Sequence, residues 1–295
     1  MRISFGQEDP NIVVAQVPTT SAAGLYIAVQ RGFFKAAGLN VTIQPVVSLA
    51  SVIPELLRGR VQVEVGQWTT AIAAESGGMH LHALAAANAS GPGLDALVTV
   101  ARSKITTVGQ LQGKKVLVNA KGGLAQMLAE SVLEDFDVKP SQTHFVTAPF
   151  PSIAAALQRG AADAAVLPEP FLTQAEEKWG VATLADLNQG GVTNFPLAGY
   201  VAASSWVQQN PAVAAAFVRA LVQGQTIAAT DREAVEQVLR PYLGMSGITT
   251  AVVALGTYPI SIDQAQLDRV GYLMQQLGFL APSVSVPSLV AALTG

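Results

Sequence analysis

The sequence lacks cysteine altogether and is poor in charge. Without cysteine it can form no disulfide, zinc ribbon, iron–sulfur site or thiolate nucleophile. Charged residues are 13% of its 295 residues, and 17 basic against 20 acidic residues give a formal charge of −3 without a run of one sign. A nucleic-acid surface needs clustered lysine and arginine, so we expect no nucleic-acid partner.

Motifs of common enzyme classes are missing too. The sequence has no Gly-x-Ser-x-Gly elbow and no Gly-x-x-x-x-Gly-Lys-Ser/Thr phosphate loop. Residues 91–96 match the letters of a dinucleotide fingerprint, but a strand rather than a helix is predicted after the glycines. His80 and His82 could share one strand face, yet no acidic cluster accompanies them in the sequence. We therefore predict a protein that is not an enzyme and that needs no cofactor and no metal.

Long uninterrupted hydrophobic runs are also rare, although half of the residues are hydrophobic and the mean hydropathy is +0.38. The uncharged stretches 187–218, 241–262 and 270–295 are broken by proline, glycine or polar residues, so we expect none of them to span a membrane. The first residues lack the apolar segment of a signal peptide. The chain is thus expected either to be cytoplasmic or to have lost a leader.

Short apolar strands alternate with helices through the first two thirds of the chain, and the last third is predicted to be nearly all helix. Continuous apolar strands separated by helices favour parallel sheets covered on both faces. A faint repeat supports two similar units. A helix ends at Leu57-Arg58-Gly59 just before a strand, and the same pattern returns at Gln158-Arg159-Gly160. We predict two α/β lobes of one construction.

Five loops that follow predicted strands are rich in small polar side chains and glycine. Open α/β sheets bind ligands outside the carboxyl ends of their strands, where helix N-termini present free N–H groups. The alternative is that these serine, threonine and asparagine residues only cap helices. The predicted ligand-binding residues are Thr19, Thr20, Ser21, Gln67, Trp68, Thr69, Asn88, Ser90, Asn119, Lys121, Gly122, Glu169 and Phe171.

Four of these residues suggest what kind of ligand would bind. Trp68 and Phe171 could pack on an aromatic or alkyl group, with Trp68 as a stacking wall of the cleft. Lys121 could receive a sulfonate or carboxylate, and Glu169 could accept a hydrogen bond from an amine or a ring N–H. Both are equally readable as ordinary surface charges, so the charge of the ligand stays open.

The opening of the chain resembles a known family. Gly24-Leu25-Tyr26-Ile27-Ala28, Arg31-Gly32-Phe33-Phe34-Lys35 and Gly38-Leu39-Asn40-Val41 are similar to the start of substrate-binding proteins of ABC importers. That family includes binders of nitrate, taurine, alkanesulfonates and thiamine pyrimidine precursors. Weaker matches follow in order at residues 111–116, 156–160 and 163–171. Gln62-Val63-Glu64 departs from the aspartate-containing strand start that is frequent in the family.

The resemblance implies a type II periplasmic-binding-protein fold: two α/β lobes, a two-crossing hinge and a helical C-terminal tail. Lobe one would comprise residues 1–88 and 201–295, and lobe two residues 89–200. The chain would cross between the lobes near residues 97–100 and 197–201.

The resemblance also implies a function. A monomer would capture a small organic molecule (a sulfonate, carboxylate or heterocycle) in the interlobe cleft and deliver it to an ABC permease. It would act in the periplasm or at the extracellular face of the cytoplasmic membrane, its leader having been removed. Two alternatives remain: a ligand-sensing domain, and an enzyme like the pyrimidine-precursor synthases. The synthases use a histidine and a cysteine-rich segment, whereas this chain has no cysteine and its three histidines lie outside the polar loops.

Overall fold

The computed structural model describes residues 5–47 and 51–294. The strands are β1 Asn11–Gln16, β2 Asn40–Pro45, β3 Val63–Gln67, β4 Leu81–Ala89, β5 Asp95–Thr99, β6 Lys115–Val118, β7 His144–Thr147, β8 Ala164–Pro168, β9 Ala182–Asp186 and β10 Pro196–Ala203. The helices are α1 Ala23–Gln30, α2 Phe33–Ala36, α3 Ile53–Leu57, α4 Trp68–Ser76, α5 Leu124–Asp135, α6 Phe150–Gln158, α7 Phe171–Trp179, α8 Ser204–Gln209, α9 Pro211–Thr230, α10 Arg232–Leu243, α11 Gly247–Val252, α12 Gln264–Gln276 and α13 Val286–Thr294.

The strands form two five-stranded sheets, in the orders β2-β1-β3-β10-β4 and β7-β6-β8-β5-β9. In the first sheet β1 pairs parallel with β2 and β3, while β10 runs antiparallel to β3 and β4. In the second sheet β6 pairs parallel with β7 and β8, while β5 runs antiparallel to β8 and β9. The expectation of purely parallel sheets is therefore wrong for one strand in each sheet. Each of these two strands enters its sheet directly from a crossing between the lobes.

The repeat seen in the sequence is confirmed by this topology. Each strand of one sheet has a counterpart at the same place in the other, with β1 matching β6 and β10 matching β5. Gly59 and Gly160 follow the equivalent helices α3 and α6 and have φ values of +70° and +76°. Only glycine adopts this left-handed conformation without a steric penalty, and it ends each helix just before the next strand.

The two crossings lie earlier along the chain than predicted. The first is residues 90–94, between β4 and β5, and the second is residues 187–195, between β9 and β10. We expected them near 97–100 and 197–201, but those residues already belong to the paired strands β5 and β10. Because β10 is in the first sheet, residues 196–200 lie with the first lobe rather than with the second.

The C-terminal third packs mainly on the first lobe. Helix α9 lies against α1, while α12 and α13 contact α4. By length and composition α9, which only partly overlaps the stretch 187–218, could cross a membrane, but half of its apolar window is buried inside this protein. Three elements were not predicted: strand β9, whose residues are exposed or half-buried, and the short helices α8 and α11. The predicted helix over residues 21–37 is broken at Gly32, where φ is +74°.

Candidate functional site

A cavity of about 330 Å³ lies between the two sheets. Residues that follow the carboxyl ends of β1 and β3 line it from the first lobe, and residues that follow β6, β7 and β8 line it from the second. This is the place where open α/β sheets bind ligands. The polar lining residues are Thr19, Thr20, Ser21, Gln67, Thr70, Asp95, Asn119, Thr147 and Glu169.

Three helices begin at this cavity. Their N-cap residues Gln67, Gly123 and Pro149 all line it, and no side chain caps any of the three. The first N–H groups of an α-helix have no partner within the helix, and the helix dipole gives them partial positive charge. The N-termini of α4 and α5 can therefore donate hydrogen bonds to an acceptor group of a ligand. Helix α6 offers fewer donors, because Pro151 has no N–H and Ser152 N donates to Pro149 O at 2.9 Å.

The cavity is also lined by two buried carboxyl groups, those of Asp95 and Glu169, which accept hydrogen bonds when ionised. Asp95 is 7% exposed, and its Oδ2 has no hydrogen-bond partner among the described residues. Burial raises the pKa of Asp95 to about 7; Asn188 opposes that rise, while the charges of Asp186 and Glu169 add to it. In the pairing of β5 with β8, Asp95 lies opposite Pro168, so Glu169 is the next residue along.

Glu169 is held by three hydrogen bonds. Its carboxylate accepts from Thr173 N at 3.0 Å, from Thr173 Oγ1 at 2.7 Å and from Ala254 N at 3.1 Å. Burial nevertheless raises the pKa of Glu169, against the lowering effect of these bonds. Since Ala254 belongs to the C-terminal third, the bond to Glu169 also links the second lobe to the tail that packs on the first.

The rest of the cavity wall is mainly apolar. It includes Val17 and Val65 from the first lobe and Leu94, Leu124 and Phe150 from the second. No lysine or arginine is among the described lining residues. The cavity therefore offers an apolar body, hydrogen-bond donors at helix N-termini, and two carboxyl groups that no basic side chain neutralises.

The structure brings together about half of the predicted ligand-binding residues. Those that line the cavity are Thr19, Thr20, Ser21, Gln67, Asn119 and Glu169. Those that do not are Trp68, Thr69, Asn88, Ser90, Lys121, Gly122 and Phe171. All seven follow or flank the same strands as the lining residues. Four of them, Trp68, Thr69, Asn88 and Ser90, are buried, and Gly122 has no side chain; its N–H donates to Gln126 Oε1 at 3.0 Å.

Trp68 does not form the stacking wall of the cleft that the sequence suggested. It is 1% exposed and packs in the core of the first lobe rather than forming a wall of the cleft. Gly199 leaves room for the ring, since a Cβ at that position would lie 2.0 Å from Cζ2 of Trp68. Trp68 and Asn88 instead line a separate cavity of about 280 Å³. Thr69, the next residue of α4, is also fully buried.

The other displaced residues have structural roles. Ser90 Oγ donates to Val192 O at 2.7 Å and accepts from Phe195 N at 2.8 Å, which ties the two crossings together. Lys121 lines a different cleft, beside Glu130. Phe171 stacks on the cavity residue Phe150, with ring centroids 5.6 Å apart.

Sequence reasoning missed Asp95, Thr70, Thr147 and the apolar wall. Asp95 is the first residue of its strand, whereas the predicted site residues come from loops that follow strands. One signal was present: it is the only charged residue between Leu81 and Val100. An isolated acid in so apolar a stretch needs a specific reason to be buried.

Comparison with models of known protein families identifies the family of this chain. The family model described as "NMT1/THI5 like" matches residues 19–234, which is more than half of the chain. The chain belongs to this family. Among curated proteins it is similar to YtlA of Bacillus subtilis strain 168, which is named as a candidate binding protein. The two are 27% identical over 207 residues, 69% of this chain and 61% of the relative. The match thus spans less than two thirds of that relative's length.

Solved structures share the fold along nearly the whole chain. The alkanesulfonate-binding protein SsuA of Xanthomonas axonopodis pv. citri, bound to MOPS, is 15% identical with a TM-score of 0.82, covering 96% of this chain and 99% of its own. The periplasmic nitrate-binding protein NrtA of Synechocystis PCC 6803 is 17% identical with a TM-score of 0.83, covering 97% and 86%. The desulfurization enzyme DSZB also has this fold, at 17% identity, a TM-score of 0.68 and 96% coverage of each chain. These likenesses confirm the predicted two-lobed binding-protein fold.

Proposed function

We propose that this protein binds a small organic molecule in the cleft between its lobes and delivers it to the membrane subunits of an ABC importer. The observation that carries the proposal is a cavity that strand ends and helix N-termini of both lobes line together. The family and the names of its relatives support binding as the activity.

The mechanism is a shift of population between open and closed arrangements of the lobes. A ligand favours closure only if it binds the closed state more tightly than the open one. Here that difference would come from contacts with both lobes at once, for example with Gln67 on one side and Asn119 on the other. Two short chain crossings are the kind of connection that allows hinge closure.

The partners and location follow from this role. The protein would act as a monomer outside the cytoplasmic membrane, where a permease can receive the ligand. Import is favoured over sensing because a protein that shares the fold, with a TM-score of 0.82, is the ligand-binding component of an ABC-type import system from Staphylococcus aureus. We favour binding over catalysis, although one enzyme shares the fold, because the described lining residues include no histidine and the chain has no cysteine.

Native mass spectrometry of the freshly purified protein, followed by calorimetry with the recovered compound, tests the proposal. Gln67→Ala and Asn119→Ala remove one polar contact from each lobe, so each should weaken binding by about two- to tenfold, the range of a single hydrogen bond. Lys121→Ala is the matched control outside the cavity and should leave affinity unchanged. Binding that is insensitive to both cavity variants would show that the ligand binds elsewhere.

A further inference from the structure

We infer that the ligand carries a protonated amine or amidine, which binds at Asp95 beside Glu169, and an acceptor group, which faces the helix N-termini. The inference rests on the proposed function, since it concerns the same cleft. It sets this cavity apart from one built for a simple anion such as nitrate or an alkanesulfonate.

The first step is the charge of the cavity. Two carboxyl groups line it, and the described lining contains no lysine or arginine to neutralise them. Lys121, the basic residue that the sequence suggested for an anion, faces a different cleft. A purely anionic ligand would therefore bind beside two acids without any cation of the protein.

The second step concerns the unused acceptors. Asp95 is more than nine-tenths buried, and its Oδ2 has no partner among the described residues. The Oδ1 atom of Asn119, another lining residue, also lacks one. Buried polar atoms in native proteins almost always have hydrogen-bond partners, so unpartnered acceptors in a binding cavity indicate donors on the ligand.

The cavity also combines both kinds of hydrogen-bonding group. The uncapped N-termini of α4 and α5 supply only donors, whereas Asp95 and Glu169 supply acceptors when ionised. Apolar side chains such as Val65, Leu124 and Phe150 line the space that remains. A molecule with an amine, an acceptor group and an apolar body satisfies all three features.

Proton exchange on binding gives a signature with a definite sign. The groups that act on Asp95 from the neighbouring elements are Glu169 after β8, Asp186 at the end of β9 and the amide of Asn188. Because burial raises the pKa of Asp95 towards neutrality, its carboxyl group can gain or lose a proton near pH 7 when a charged ligand binds. A bound cation favours the ionised form, so binding of an amine should release protons. A bound anion favours the protonated form and should take protons up.

Calorimetry with three related probes tests the inference: 4-(aminomethyl)benzoate, 4-methylbenzoate, which lacks the amine, and benzylamine, which lacks the acid. A thermal-shift library of compounds paired with and without an amine extends the set. We expect the amine-bearing members to bind more tightly and, in buffers of different ionisation enthalpy at pH 7, to release protons. Asp95→Asn should weaken their binding about 10- to 100-fold, as expected for a charged hydrogen bond, and should remove most of the release.

Glu130→Gln is the matched control, because Glu130 is a buried acid that lines another cleft and should change neither quantity. The inference is overturned if compounds without the amine bind as tightly as their partners, if binding takes up protons, or if no amine in the library binds. The proposed function does not depend on the first two of these results, because an anion that draws the lobes together is still a captured solute. The proposed function would be contradicted separately if an amine bound and the lobes did not move.

Discussion

The contact between Trp68 and Gly199 shows how one small residue decides where a large one lies. The first residue of α4 could have faced the cleft, as its neighbour Gln67 does. Because Gly199 has no side chain, β10 leaves a space that the indole ring fills. Such a space depends on a residue 131 positions away, so a local sequence pattern could not reveal it.

Trp68→Ala should therefore act on stability rather than on ligand binding. We expect a loss of about 3–5 kcal/mol in the free energy of unfolding, the range for a large buried aromatic residue, with ligand affinity nearly unchanged. Trp179→Ala is the control: Trp179 is 39% exposed and should cost much less. Denaturation curves and calorimetry on both variants measure the two effects. Weakened binding with an unchanged free energy of unfolding would instead show that Trp68 contacts the ligand in the cleft.

Loop composition predicted the cavity residues that follow strands, because strand ends in an open sheet converge on one edge. It could not separate Gln67 and Asn119, which face the cavity, from Ser90, whose hydroxyl is used between the crossings. Asp95 was not predicted as a cavity residue, because its position depends on the antiparallel direction of β5, which places the start of that strand beside the end of β8.

At the scale of elements, most strands and helices could be predicted because glycine and apolar runs delimit them. Strand β9 could not, since its residues Ala182–Asp186 are mostly polar or exposed and lack an apolar run. The sequence pattern also did not predict the antiparallel direction of β5 and β10. The apolar residues of β5 and β10 look like those of the parallel strands in the same sheets, and only the path of the chain between the lobes makes β5 and β10 antiparallel to their neighbours.

The crossing of α1 and α9 yields a prediction at this scale. A Cβ on Gly224 would lie 2.2 Å from the carbonyl oxygen of Gly24 and 2.8 Å from Ala28 N, both backbone atoms that cannot move aside alone. Glycine to alanine normally stabilises an exposed helix interior by about 1 kcal/mol. Gly224→Ala should instead lower the free energy of unfolding by about 1–3 kcal/mol or more, because the helices must separate.

Urea denaturation of Gly224→Ala beside Gln223→Ala measures this effect. Gln223 is the exposed neighbour on the same helix, and its replacement should be close to neutral. A Gly224→Ala variant as stable as the parent chain would mean that α1 and α9 do not approach this closely.

For the whole molecule, the repeated sheet order provides two similar lobes, and the two crossings leave them joined by short segments. Two side chains of the second lobe bind the C-terminal third: Glu169 accepts from Ala254 N at 3.1 Å, and Glu177 accepts from Thr249 Oγ1 at 3.0 Å. A ligand that contacts both lobes can add to these existing contacts. Under the proposed function, closure would be the step by which binding becomes a signal to the permease.

Small-angle X-ray scattering with and without a saturating ligand tests this central claim most directly. The ligand is the compound recovered by native mass spectrometry or, failing that, the tightest binder of the calorimetric series. If the cleft captures solute by closing, the radius of gyration should fall on binding, and Asn119→Ala at matched occupancy should show the same fall. An unchanged scattering profile at a saturation proven by calorimetry would contradict capture by closure of the two lobes.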